Sequence, residues 1–148
     1  MPCPIVAVLC TMAAGPGVQA LPAAAPAPPP VVRKINKMRR RKGVPRLRVS
    51  RALSRTSRRF AHDLMAADRL AHAPRIKAPR RFRRVGEVLA MQPGWRRSPS
   101  TAARAWLNSP GHRRVILARS FDVMGVAAAR GRFGGRRATI WVAQLGRR

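Results

Sequence analysis

Trp106-Leu107-Asn108-Ser109-Pro110-Gly111-His112-Arg113 is the stretch on which the reading of this chain turns. Ser109 before Pro110 marks a helix start. The hydroxyl suits the cap, and proline at the first helical position has no N–H to leave unpaired. Ser98-Pro99 repeats the signal, so short helices are expected over about 99–107 and 110–118. His112 then sits in the first turn of the second one. The positive end of the helix dipole disfavours imidazolium there. A neutral imidazole can bind a metal or accept a proton.

Two strands are expected after these helices, near 121–129 and 137–145, joined by the turn Gly131–Gly135. Ile140-Trp141-Val142 is apolar on both faces of a strand, which predicts a central position. Before the helices, residues 73–84 (APRIKAPRRFRR) have no clear period and read as a basic loop. Ser50 is a plausible N-cap for a longer helix. Leu53, Ser57, Phe60, Ala61, Leu64, Ala67 and Ala71 recur at threes and fours and make one buried face. Val31 to Lys42 reads as a first helix, stopped by Gly43 and Pro45. Helices first and strands last imply an α+β sandwich.

The chain has 148 residues, enough for one domain with a modest core. The first 32 residues carry no charged side chain, so all 32 Lys and Arg fall beyond them, with only four acids. Those acids are Asp63, Asp68, Glu87 and Asp122. The formal net charge of +28 attracts polyanions: nucleic acid, anionic lipid or envelope polymer. Nearly all the bases are arginine, however, which is also what a GC-rich genome produces. Residues 4–14 are apolar but too short to span a bilayer. With Val18-Gln19-Ala20 they read as a secretory signal peptide over residues 1–20, with a mis-assigned start or a disordered tail as the alternatives. Residues 21–30 (LPAAAPAPPP) form an extended Ala/Pro linker, and the domain is expected over 31–148. Both cysteines, Cys3 and Cys10, lie in the signal, so the mature domain has no disulfide. Nothing later in the chain reads as a transmembrane segment.

Five segments in order resemble the CAP superfamily (cysteine-rich secretory protein, antigen 5 and pathogenesis-related type), in its short bacterial SCP-like form. They are Ile35-Asn36 with Arg39, the run 53–72 with Leu53, Asp63 and His72, Gly86-Glu87-Val88-Leu89-Ala90, the stretch 106–113, and Trp141-Val142 with Gln144 and Gly146. The resemblance implies an α-β-α sandwich with helices N-terminal and antiparallel strands toward the C-terminus. It also implies a cleft bearing two histidines and two acids. His72, Glu87 and His112 match that set; the second acid has no counterpart, and Val88 stands where the family has Asn.

Two imidazoles and a carboxylate form a ligand set that suits Zn2+ with one position open. Were the second helix to continue, Asp68 would lie one turn before His72 and orient its ring. Competing readings stand beside these. Glu87 could pair with Arg113 or Arg114, His72 could simply end a helix, and His112 could make a turn contact. His62 reads as solvated surface, Asp63 as a helix pair with Arg59, and Asp122 as the partner of a nearby arginine. Trp106 and Trp141 read as core, Trp95 as an exposed contact candidate.

The expected function is a secreted binding or interaction module. Its cleft would take a cation or a small ligand, lipidic ligands being what the resemblance implies, and its basic surface an anionic envelope polymer or lipid. A metal-assisted hydrolase using His72, Glu87 and His112 is the alternative. No serine or cysteine nucleophile motif supports it, and catalysis is the less favoured reading. Nucleic acid is expected to bind only non-specifically, since the arginines are dispersed and no recognition motif is present.

Overall fold

Apolar side chains on both faces of one strand demand cover on both sides, and that strand organises the fold. The computed structural model describes residues 29–95 and 98–148; the predicted signal peptide and most of the linker lie outside the described residues. Eight elements follow in order: α1 (Pro30–Arg41), β1 (Arg48–Val49), α2 (Arg51–Ala66), β2 (Arg84–Pro93), α3 (Pro99–Asn108), α4 (Pro110–Leu117), β3 (Val123–Phe133) and β4 (Arg136–Arg147). The sheet order is β1-β3-β4-β2, so β4 is central, as its composition predicts. On one face Trp141, Ala143 and Leu145 pack with α1, α3 and α4 through Ile35, Trp106 and Ile116. On the other, Ile140 and Val142 pack with Ala61 and Leu64 of α2. The result is the α+β, α-β-α sandwich expected.

The structure adds two strands. β2 pairs antiparallel with β4 over its whole length, from Arg84↔Arg147 to Pro93↔Ala138. β1 is a two-residue strand parallel to β3, so the sheet is mixed. The β3–β4 turn is tighter than expected: Gly131 belongs to β3, and only Gly134 and Gly135 turn, at φ 56° and 74°. Positive φ at both central positions suits a two-residue hairpin, and glycine reaches it without a Cβ clash.

α2 ends earlier than its apolar face suggests. Ala67 caps it and Asp68 takes φ 47°. The amides of Asp68 and Arg69 turn back to the carbonyls of Met65 and Leu64, a Schellman close. The Asp68 carboxylate then accepts the Gly134 N–H at 2.6 Å. The expected Asp68–His72 contact is therefore not made; Ala71 and His72 lie in a loop. Ser50 and Ser98 cap α2 and α3 through their hydroxyls, but Ser109 makes no side-chain cap bond to α4.

Two polar side chains tie α1 to the rest. Asn36 exchanges both of its amide bonds with the Leu47 backbone, at 2.9 and 2.8 Å. Arg39 is fully buried and donates to the carbonyls of Pro45, Ile116, Ala118 and Phe121. Burial, and then Arg119, lower its pKa. A buried cation needs donors satisfied on all sides, and here four carbonyl oxygens supply that.

Candidate functional site

The site forms at the edge strand β2, where chain from both faces of the sheet meets. Glu87 and its partner Gln144 lie on the α2 face, because paired residues project to the same side. His72 arrives from the loop after α2. His112, third residue of α4, arrives from the opposite layer. The three residues singled out in the sequence come together here, with His72 in the middle.

Glu87 is almost wholly buried, its side chain 2% exposed against 56% for His72. Its Oε1 faces His72 Nδ1 at 3.2 Å and accepts the Ala73 N–H at 3.3 Å. Its Oε2 accepts from Gln144 Nε2 at 3.1 Å. Gln144 Oε1 in turn accepts from the Thr56 hydroxyl at 2.6 Å. A carboxylate only accepts, so Nδ1 of His72 carries the hydrogen, and in the neutral ring Nε2 is the lone-pair nitrogen. The pairing of Glu87 with Arg113 or Arg114 does not occur; both arginines are exposed.

The His72 and His112 rings lie 6.0 Å apart, tilted by 58°. His112 has its pKa lowered, first by burial and second by His72. The direction is the one its place in the first turn predicts. The three side chains meet, but not as three ligands around one point. Among the described residues no group of three His, Cys, Asp or Glu side chains is set to hold a metal ion. Both Glu87 oxygens are already engaged, so this carboxylate stands behind His72 instead of beside it.

A cavity of about 310 Å³ opens next to His72 and Gln144, between α2 and the loop 67–77. Phe60, Leu64 and Pro74 give it an apolar wall, and Arg59, Arg69 and Lys77 add charge. Arg59 and Asp63, expected to pair, both line this cavity and form no ion pair with each other.

Gln144 and Thr56 were not expected at the site. Gln144 is a lone amide in the apolar run 140–145, and a polar side chain in a central strand must find a buried partner; that was the available signal. Thr56 carries no signal in sequence. Trp95 is exposed, yet partly engaged. Its Nε1 donates to the Gly131 carbonyl at 3.1 Å, and the Arg137 guanidinium stacks 4.4 Å from its ring centre. His62 is exposed, and Asp122 meets Arg48 at 3.5 Å, both as expected. Trp106 and Trp141 are core.

The cysteine-rich secretory protein family, CAP, matches residues 32–145. The fold is similar to that of an outer surface protein of Borrelia burgdorferi, with TM-score 0.65 at 20% identity over 80% of this chain and 90% of that one. An extracellular SCP-domain protein of Bacillus anthracis gives TM-score 0.63 at 20% identity, over 80% of this chain and 39% of its own. Venom allergen-like protein 4 of Schistosoma mansoni gives 0.55 at 13%, over 80% and 85%. No curated protein is detectably similar in sequence. The family match spans all eight elements but the ends of the first and last, and on it this chain belongs to the CAP family.

Proposed function

We propose that this domain works outside the cell as a binding module, taking a small ligand or cation at the His72–His112 edge of its sheet. The observation that carries this is the buried relay from Thr56 through Gln144 and Glu87 to His72. It fixes one tautomer of a half-exposed imidazole beside a second imidazole whose burial favours the neutral form. A carboxylate behind a histidine raises the basicity of the far nitrogen and fixes its direction. Two such lone pairs suit a soft divalent cation, with Glu87 as support and the remaining positions left to ligand or water. The neighbouring cavity suits an apolar body with a negative end.

The extracellular setting is supported by the apolar segment at residues 4–14 and by two structural relatives described as outer-surface or extracellular proteins. No helix among the described residues is long and apolar enough to cross a membrane. The basic surface would then meet anionic envelope components. Titration calorimetry with Zn2+ tests the site. Binding by the wild type that is lost in His72→Ala with His112→Ala is the expected result. Equal binding by the double variant, or none by the wild type, overturns the cation reading.

A further inference from the structure

A second concave site lies on the same sheet edge, three residues along β2 from Glu87, where β2 begins and β4 ends. Its lining among the described residues is Arg83, Arg84, Arg147, Arg148 and Ser120, around a cleft of about 550 Å³. The backbone holds these arginines together. Arg84 is the direct cross-strand partner of Arg147, and the Arg83 amide donates to the Arg147 carbonyl at 2.9 Å. Like charges directly opposite on paired strands repel. No Asp or Glu side chain lines the cleft, and none of the four guanidiniums forms an ion pair or side-chain hydrogen bond among the described residues. Arg84 and Arg147 point away from the Glu87 face, since residues an odd number apart on a strand project to opposite sides.

We infer that this arginine cleft is a binding site for a phosphate group carrying two or more negative charges, a phosphomonoester or pyrophosphate. Planar guanidinium forks match phosphate oxygens two at a time, and several forks converging suit a multiply charged group better than a single carboxylate. The Ser120 hydroxyl adds a neutral donor. The volume exceeds that of one phosphate, leaving room for what it is attached to. The proposal deepens the basic-surface half of the proposed function and rests on it. It turns a diffuse charge into an addressable site, independent of the two histidines.

The test is calorimetric titration of the full chain with inorganic pyrophosphate at physiological salt, with cosedimentation on phosphatidylcholine vesicles with and without phosphatidic acid. Two variants each remove two charges: Arg84→Gln with Arg147→Gln in the cleft, and Arg40→Gln with Arg41→Gln on the exposed end of α1. The expected result is a loss of at least about tenfold in pyrophosphate affinity for the cleft pair and under about twofold for the α1 pair. Phosphatidic acid vesicles captured by the wild type and released by the cleft pair identify a lipid headgroup as the source. Pyrophosphate binding without vesicle capture supports the site with a soluble phosphate. Equal losses in both variants overturn the site but leave attraction by charge at large intact. Failure of the wild type to bind either probe overturns the basic-surface reading as well.

Discussion

Replacing Glu87 separates the role of its shape from the role of its hydrogen bonds. In Glu87→Gln the carbonyl oxygen can keep the Ala73 N–H and the His72 Nδ1–H, which arrive together at Oε1. The new NH2 then faces Gln144 Nε2, donor against donor. Gln144 relieves the conflict by rotating its amide through half a turn, so that its oxygen accepts from the new amide and its NH2 donates to Thr56. Thr56 can take that bond, because its hydroxyl hydrogen has an alternative acceptor in the Leu53 carbonyl at 3.1 Å. Every partner is satisfied again, and the stability cost should stay below about 1 kcal/mol. Glu87→Leu has no such exit. It orphans the Ala73 amide and one end of Gln144, at about 1–3 kcal/mol each, offset by removing a buried charge. A net loss of about 2–4 kcal/mol is expected. Urea denaturation reads this as a midpoint lower by about 1–2 M at the slopes usual for small domains. Equal losses in the two variants would refute the rotating-amide account, and an unchanged midpoint for Glu87→Leu would refute the relay itself.

Arg39→Met keeps the stem but strands the four carbonyls that Arg39 serves, and should cost about 3–5 kcal/mol by urea denaturation, with Arg39→Lys falling between. Gly125→Ala would place a Cβ 2.1 Å from the Leu53 and Ser54 backbone, forcing α2 off the sheet; a loss of about 3 kcal/mol or more is expected in thermal melts, because backbone cannot rotate aside. His112 has a lowered pKa in the fold, so its neutral form is the one the native state favours. Its contribution to stability is complete above the unfolded value of about 6.5 and is lost as pH falls through the lower folded value. Urea midpoints followed downward from neutral pH should therefore decline less in His112→Gln than in the wild type.

What was legible in the sequence was whatever repeats or caps. Ser50 and Ser98 marked helix starts, and the two-sided apolar run 140–142 marked a central strand. β2 was hidden because it is buried on both faces only over Glu87–Ala90, a run that opens on a charged residue, and its flanks carry Arg84, Gly86, Gln92 and Pro93. Neither a period of two nor a long apolar run survives that mixture. The true end of α2 was hidden for another reason. Ala67 and Ala71 continue the apolar spacing, but Asp68 leaves the helix to bond Gly134, a residue far along the chain. A tertiary contact of that kind outweighs local spacing and leaves no trace in it. At the site, His72, Glu87 and His112 were found by resemblance. The role of Glu87 was not, because whether a carboxylate binds a ligand or backs a histidine depends on what else reaches its oxygens.

The family is named for cysteine, yet no cysteine lies among the described residues. No disulfide can therefore join the elements of this sandwich, and α1 has to be held by other means. It shares no strand pairing with the rest and contacts the sheet only through side chains. Arg39 answers this by bonding backbone as far away in sequence as Phe121, while Asn36 ties the helix to the segment that follows it, at Leu47. Such bonds act where a crosslink would, joining the first described helix to the body. They differ in one respect: a crosslink also restricts the unfolded chain, whereas these bonds exist only in the folded one. The domain's stability should accordingly depend on burial around Arg39, and that is also where α4 ends and β3 begins. Since α4 carries His112, loosening Arg39 should reach the site through the C-terminal end of that helix, while His72 and Glu87, anchored on the opposite face, stay in place.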